Sequence, residues 1–334
     1  MPQYIPPLFT EEVPHIPPGA TITVAPSETF SQAIKKYGTR RNKPPSFTLP
    51  EVFELNKGFT VGCDPEGFLF DKKRKVYIPA AGIIPGNKYD PHPVEKGAIQ
   101  VDGMAVEFNI DPVSTYEDWE GNITTVIAAL EAALPKHLEV HWVPSIRFPE
   151  EEFDKAPDDA KVLGCQPDFD GWSGEVNPPP NMKDPYVRCA GGHLHVGFPN
   201  TKNEDVTNVQ HVMNCQDLVQ QFDWFLGGWS VFMDKDEVRR NLYGKMGACR
   251  YKPYGVEYRV LSNFWVASKE LRLATWNRTC SAISNMNKLF MPERTGNVLN
   301  NYLRDAINSH HVNSQLIEFA EFPINTLNSG RCRL

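Results

Sequence analysis

Four short stretches of this chain carry acids, imidazoles or guanidinium groups where a β-strand interior would normally be apolar. They are Asp64-Pro65-Glu66, then Gln100, Asp102 and Glu107 within IQVDGMAVEFN, then His193-Leu194-His195, and last Glu257-Tyr258-Arg259, with Arg250 seven residues before Glu257. Residues i and i+2 of a strand point to the same face. Asp64 and Glu66 therefore share a face, as do His193 and His195, and Glu257 and Arg259. If one sheet collects these faces, a single side holds several carboxylates, two imidazoles and a guanidinium.

Such a cluster needs compensation, because carboxylates at close quarters repel and cost several kcal/mol to bury unpaired. A divalent metal supplies it most simply. Carboxylates with a histidine suit Mg²⁺ or Mn²⁺, and zinc is less favoured because no cysteine accompanies the histidines. An arginine on the same face keeps its charge and suits a phosphate or carboxylate. Each motif alone has an ordinary explanation: a polar turn for D-P-E, surface or core histidines for H-x-H, a same-face ion pair for E-x-R. Their combination, with Gly191-Gly192 and Gly255 allowing close backbone approach, describes a phosphate-handling metal site.

The elements that must position these residues can be read from pattern. Strand-like runs are GFTVGCDPEGFLF, KVYIPAAGII, the two halves of GAIQVDGMAVEFNI about a hairpin at Asp102-Gly103, HLEVHWVPS, RCAGGHLHVGF and YGVEYRVLSNFW. A helix is expected over about 116–134, where Trp119, Ile123, Ile127, Leu130 and Leu134 recur at three- and four-residue spacing and Pro135 stops it. A long helix is expected from near Asn203 to about 233, with Val206, Val209, Met213, Leu218, Phe222 and Leu226 buried, and further helices over about 268–290, 297–308 and 312–320. Residues 149–185 read as loop. Residues 1–50 contain ten prolines and read as an extended arm wrapping the body, with a short helix at 27–37. The division expected is an arm over 1–57, a catalytic domain over 58–290 and a helical segment over 291–334. Hairpin-like strand pairs without a βαβ repeat or a Gly-rich phosphate loop favour α+β with a largely antiparallel sheet.

Composition narrows the function classes. The 334 residues include 34 basic and 41 acidic side chains, a formal charge of −7, which argues against a general nucleic-acid binder. Seven Trp, eleven Tyr and nineteen Phe exclude a chain disordered throughout. Seven scattered cysteines with no CxxC pair read as reduced thiols of a cytoplasmic protein. The opening residues lack the pattern of a signal peptide, and no window approaches the ~18 apolar residues of a membrane span.

In motif order these residues resemble the glutamine synthetase and gamma-glutamylcysteine ligase superfamily. VGCDPEGFLFD is similar to its first glutamate strand, GGHLHVGF to its G-x-H-x-H strand and VEYRVLSNFW to its E-x-R strand. The order D-P-E, Q-x-D…E-F-N, G-G-H-x-H and Y-G-x-E-Y-R is most similar to the phage-type COOH–NH2 ligases, or amidoligases, over roughly residues 58–290. The resemblance implies a curved, largely antiparallel sheet with helices on its convex face, and ATP with two or more Mg²⁺ (or Mn²⁺) on the concave side. It implies phosphorylation of a carboxylate by ATP and attack of an amine on the acyl phosphate. Small molecules or peptides would supply both groups, in the cytoplasm of a bacterial host if the chain is phage-encoded. By position, Asp64, Glu66, Glu107, His193 and Glu257 match metal ligands. Arg259 and Arg250 match phosphate contacts, with His195 beside them as a third candidate catalytic group. Gln100, Lys88 and Arg240 are nucleotide-binding candidates, Asp102 a polar group of the site and Asn109 a floor residue. The first acid is Asp where the family has Glu, and no ammonia-site loop is recognisable, so ammonia is not the expected acceptor. Substrate selection is expected from loops 79–98 and 149–186. Competing readings are a guanidino-kinase-like phosphotransferase, a non-catalytic phage structural protein that keeps the fold, and a metallohydrolase.

Overall fold

The computed structural model describes residues 51–162, 168–201, 205–287 and 293–309. β1 is a long strand, Thr60–Asp71, and β2 (Val76–Ile78) folds back on its far end. β3 (His92–Val94), β4 (Gly97–Asp102) and β5 (Ala105–Ile110) form a meander, with Gly103 at φ +56° supplying the turn expected after Asp102. α1, Tyr116–Ala133, is capped by Thr115, whose hydroxyl accepts the Asp118 N–H. β6 (Leu138–His141) and β7 (Ser145–Arg147) follow, then two short helices, α2 (Glu150–Asp154) and α3 (Asp158–Lys161). Next come β8 (Phe169–Asp170), β9 (Val187–Cys189) and β10 (Gly192–Gly197). α4, Val209–Phe222, runs through a π-helical turn at Asp223–Gly227 into α5, Gly228–Met233. α6 (Glu237–Leu242), β11 (Ala248–Lys252), β12 (Gly255–Tyr258), α7 (Lys269–Ser284) and α8 (Glu293–Ser309) complete the order.

Among the described residues ten strands make one open sheet in the order β3-β4-β5-β1-β10-β12-β11-β8, with β2 and β6 pairing the far end of β1. These pairings are antiparallel. The fold is α+β, as the hairpin-like strand pattern implies. Alternation divides the sheet cleanly. Val61 and Cys63 of β1, Val106 and Phe108 of β5, Leu194 and Val196 of β10 and Val256 and Tyr258 of β12 point to one side and are buried in the main core. α1 packs against β4 and β5 there, α4 against β11 and β12, and α7 against both helices. Trp119, Ile123, Val126 and Leu130 form the buried stripe of α1; truncating a side chain such as Trp119 to Ala would cost about 3–5 kcal/mol. The opposite face carries the charged motifs. Beyond Glu66 on that face, Phe68 packs with Met104, Phe148 and Phe153 in a smaller core built by α2, α3 and the separate β7–β9 pair.

Several expectations need correction. The long helix begins at Val209, after Asn208 caps it through the His211 N–H. Its buried stripe is His211, Cys215, Leu218 and Phe222, so Val209 and Met213 are exposed, Val206 is exposed in the turn before the helix, and Leu218, Phe222 and Leu226 are buried as expected. Positions 209 and 213 lie two residues from 211 and 215, roughly 200° around the helix. Apolar type misled there because His211 can be buried: its Nε2 bonds the Lys252 carbonyl at 2.9 Å. Segment 149–185 is not all loop, since it holds α2, α3 and β8. The expected strand through RCAGGHLHVGF breaks at Ala190-Gly191 into β9 and β10, because Gly191 turns both backbone groups to Glu66. α7 ends at Ser284, short of 290. The arm over 1–50 and the helices expected at 27–37 and 312–320 lie outside the described residues.

Candidate metal and phosphate site

Strand register decides which charged residues meet. Glu66 of β1 faces Glu107 of β5, and Glu107 faces Gln100 of β4. On the other side of β1, Asp64 faces His193 of β10. One step along, His195 faces Glu257 of β12, and Glu257 faces Arg250 of β11. Two rows of polar side chains thus cross the centre of the sheet. Two groups of three have ligand atoms within 4.8 Å of one another: Asp64, His193 and Glu257, and Glu66, Asp102 and Glu107. The structure therefore brings together every metal-ligand candidate and adds Asp102 to the second group.

The Asp64 group is a web of opposite charges. Asp64 Oδ1 lies 3.3 Å from His193 Nδ1, and Oδ2 lies 3.1 Å from His195 Nε2. Burial alone would raise the Asp64 carboxyl, but the imidazoles of His195 and His193 outweigh it and hold it well below the usual carboxylate range. Burial and the nearby Arg259 lower His193 to about 4, so its imidazole is neutral at pH 7 and able to act as a ligand. Burial opposes charge on His195 too, yet Asp64 wins there and raises it. The other ring nitrogen, His195 Nδ1, is 2.5 Å from the Tyr254 hydroxyl. Glu257 is only 1 % exposed. Against the upward push of burial, Arg259 first among several cations brings its carboxyl down to about 2.

The Glu66 group has the reverse character. Its three members are carboxylates, and burial raises all three. Glu66 is raised to about 7 by burial and then by Asp102, against the Gly191 N–H that donates to its Oε2 at 2.6 Å. Glu107 is raised well above the usual range by burial, with Asp64 and Glu66 adding to it, and accepts Gln100 Nε2 at 2.7 Å. Asp102 is raised by burial against the opposing charge of Lys88. Lys88 itself is exposed on the loop before β3, 5.4 Å from the ring centre of Tyr89.

These residues fit divalent metal. Two buried oxygens, Asp64 Oδ1 and Glu257 Oε2, have ionic neighbours but make no hydrogen bond of acceptable geometry, and Gln100 Oε1 makes none either. Oxygen-rich sets with one neutral histidine match hard ions of the Mg²⁺ and Mn²⁺ kind. The cations lie to one side of the Asp64 group. Glu257 Oε1 meets Arg259 Nη1 in a short contact and Arg250 Nη1 at 3.3 Å, while its Oε2 is 2.8 Å from Lys252 Nζ. Arg240 is placed differently, buried against Asp234 (3.8 Å) and the Ser230 hydroxyl (3.3 Å) on α5 and the turn after it. Asn109 lies two residues from Glu107 on the same face of β5 and belongs to neither group.

Two residues of the site, Lys252 and Asp168, are absent from the motifs singled out above. Lys252 could have been found, since it is i+2 from Arg250 on a strand. Asp168 continues the row at the sheet edge and takes Arg259 Nε at 3.3 Å, but it lies in a stretch without strand periodicity. Tyr254, the first residue of the Y-G-x-E-Y-R motif, takes no role from that motif; it sits on the β11–β12 turn, where alternation gives no direction.

No protein-family profile matches the chain, and no curated protein does. Among solved structures it is similar to a bifunctional glutathione synthetase from Pasteurella multocida, with 11 % identity and a TM-score of 0.43. The match covers 81 % of this chain and 47 % of that one, so the chain spans about half of that protein's length. No helix among the described residues is long and apolar enough to cross a membrane.

Proposed function

We propose that this protein is an ATP-dependent carboxylate–amine ligase that forms an amide through an acyl phosphate. The observation that carries the reading is the pair of adjoining ligand groups, Asp64/His193/Glu257 and Glu66/Asp102/Glu107, on one sheet face with Arg250 and Arg259 beside them. The order of the four motifs, similar to that of the amidoligases, supports it.

In this reading Asp64, His193 and Glu257 hold one divalent ion and Glu66, Asp102 and Glu107 another. Bound there, such ions would neutralise phosphate charge and act as Lewis acids. The protein's own contribution is position and charge. The antiparallel floor fixes both groups, so the substrate carboxylate and the terminal phosphate of ATP can be held in line. A carboxylate oxygen attacks the γ-phosphorus, the bond to the bridging oxygen breaks, and ADP leaves. Arg259 and Arg250 neutralise charge on the transferred phosphoryl oxygens. The amine then attacks the acyl carbon, phosphate departs with its oxygen, and the amine loses a proton. His195, held between Asp64 and the Tyr254 hydroxyl, keeps Asp64 ionised throughout.

The test is ADP formation with Mg²⁺ across a panel of amino acids, peptides and amines, comparing Glu257→Ala. The ligase reading expects turnover that needs both a carboxylate and an amine and is lost in the variant. Turnover yielding a stable phosphorylated product would instead indicate a phosphotransferase, and hydrolysis without ATP a metallohydrolase. An absence of Mg·ATP binding would indicate a non-catalytic protein on this fold.

A further inference from the structure

The Glu257 carboxylate meets three cations. Its Oε1 meets Arg259 and Arg250, and its Oε2 lies 2.8 Å from Lys252 Nζ. Arg259 also meets Asp168 Oδ2 at 3.3 Å, so the two arginines anchor Glu257 and Lys252 is the cation the carboxylate can most readily release. The Lys252 contact is also the weakest of the three in form. Glu257 Oε2 makes no hydrogen bond of acceptable geometry, and the lysine side chain is 30 % exposed against 7 % for Arg259 and 18 % for Arg250. An ammonium carries three donors on a flexible stem, and this pairing occupies one at most.

The backbone beneath Lys252 is pinned, so only the side chain is left to move. From the helix side of the sheet His211 Nε2 bonds the Lys252 carbonyl at 2.9 Å, and Cys215 Sγ donates to the Gly255 carbonyl at 3.3 Å. The Tyr254 carbonyl accepts the Phe198 N–H at 2.8 Å and the Thr201 hydroxyl at 3.1 Å. A hairpin tip held this firmly delivers its lysine to a set place on the charged face.

We propose that Lys252 is a third anion-binding cation of this site, resting on Glu257 until metal takes that carboxylate and then turning its ammonium to the phosphoryl oxygens of the nucleotide. The inference rests on the ligase reading and adds to it a catalytic residue that none of the four motifs contains. It also has a consequence of unusual sign. In the metal-free protein Lys252 competes with a divalent cation for Glu257, so removing it should favour metal while harming nucleotide.

Lys252→Met and Lys252→Arg test this by two binding titrations, Mn²⁺ alone and a non-hydrolysable ATP analogue with Mg²⁺. Expected for Lys252→Met is Mn²⁺ affinity raised about threefold or more, since a like charge has left the neighbourhood of the ion. Nucleotide affinity should fall about tenfold or more, the usual weight of a charge-assisted contact. Lys252→Arg should bind both ligands nearly as the natural protein does, which also controls for folding. Weaker Mn²⁺ binding in Lys252→Met would mean that the lysine merely props Glu257, and unchanged binding of both ligands would mean that it does nothing here; either result overturns the proposal. Natural protein that binds neither Mn²⁺ nor nucleotide would overturn the ligase reading itself, and the role of Lys252 with it.

Discussion

Glu66 and Glu107 are direct cross-strand partners on β1 and β5, two acids facing each other with Asp102 close by. Like charges directly opposite destabilise a sheet, and here burial adds to the repulsion. Glu66 is raised to about 7, and Glu107 well above its ordinary value. An acid raised on folding binds more protons in the folded than in the unfolded state between its two pKa values. Its contribution to stability is therefore largest below the unfolded value and is lost as pH rises through the folded one. Metal-free protein should lose thermal stability between about pH 4.5 and 7, and excess Mg²⁺ or Mn²⁺ should flatten the fall. Tm measured against pH with and without metal checks this. The variant Glu66→Gln should raise metal-free Tm at pH 7 and reduce the metal effect, leaving the share that comes from the Asp64 group.

Asp223 separates this metal-linked titration from an ordinary buried acid. It sits on the helix side of the sheet, in the π-helical turn, and accepts Trp172 Nε1 at 2.7 Å and the Tyr258 hydroxyl at 2.8 Å. Burial raises it to about 7 as well. Its share of the pH dependence has the same sign but should persist in saturating Mg²⁺. Replacing it by Ala strands two buried donors and should cost roughly 1–3 kcal/mol each, read from denaturant unfolding.

Glu257 titrates in the opposite sense. Its carboxyl is lowered to about 2, so its contribution to stability is present above the ordinary carboxylate range and lost as pH falls toward 2. Glu257→Gln removes the acid shared by Arg259, Arg250 and Lys252. Breaking a buried pair from one side should destabilise by roughly 3 kcal/mol, so this variant should unfold at lower temperature where Glu66→Gln unfolds at higher. A shared direction for both variants would contradict the charge distribution described above.

The glycines before His193 make a sharper pair. A Cβ on Gly191 would sit 2.2 Å from His193 Nε2, whereas one on Gly192 would sit 2.3 Å from the Ser262 carbonyl oxygen. Gly191→Ala should therefore turn the imidazole from its place and weaken Mn²⁺ binding about tenfold with a modest change in Tm. Gly192→Ala pushes on backbone and should cost about 1–3 kcal/mol of stability. Mn²⁺ titration and thermal unfolding of the two variants distinguish these outcomes.

Much of the site was legible because alternation along a strand is a local rule. Asp64 with Glu66, His193 with His195, and Glu257 with Arg259 needed only that rule to share faces. Which strands lie side by side is not local: Glu66 meets Glu107 rather than His195 because of register set by the whole sheet, and no spacing in the chain states it. Asp102 entered the second ligand group for that reason. Arg240 shows the opposite failure, a cation whose type suits phosphate but whose helix carries it to Asp234. Along α4 the apolar pattern was overridden by His211, whose burial depends on a carbonyl of a distant hairpin.

Oxygen transfer tests the central claim most directly. A carboxylate activated by phosphorylation passes one of its oxygens to the phosphate that later leaves. With heavy-oxygen-labelled carboxylates in the substrate panel, ATP, Mg²⁺ and an amine, mass spectrometry of the released phosphate should find one labelled oxygen per amide formed, and none with Glu257→Ala. Amide formation with unlabelled phosphate would contradict the acyl-phosphate route, and phosphate release independent of the amine would contradict the ligase.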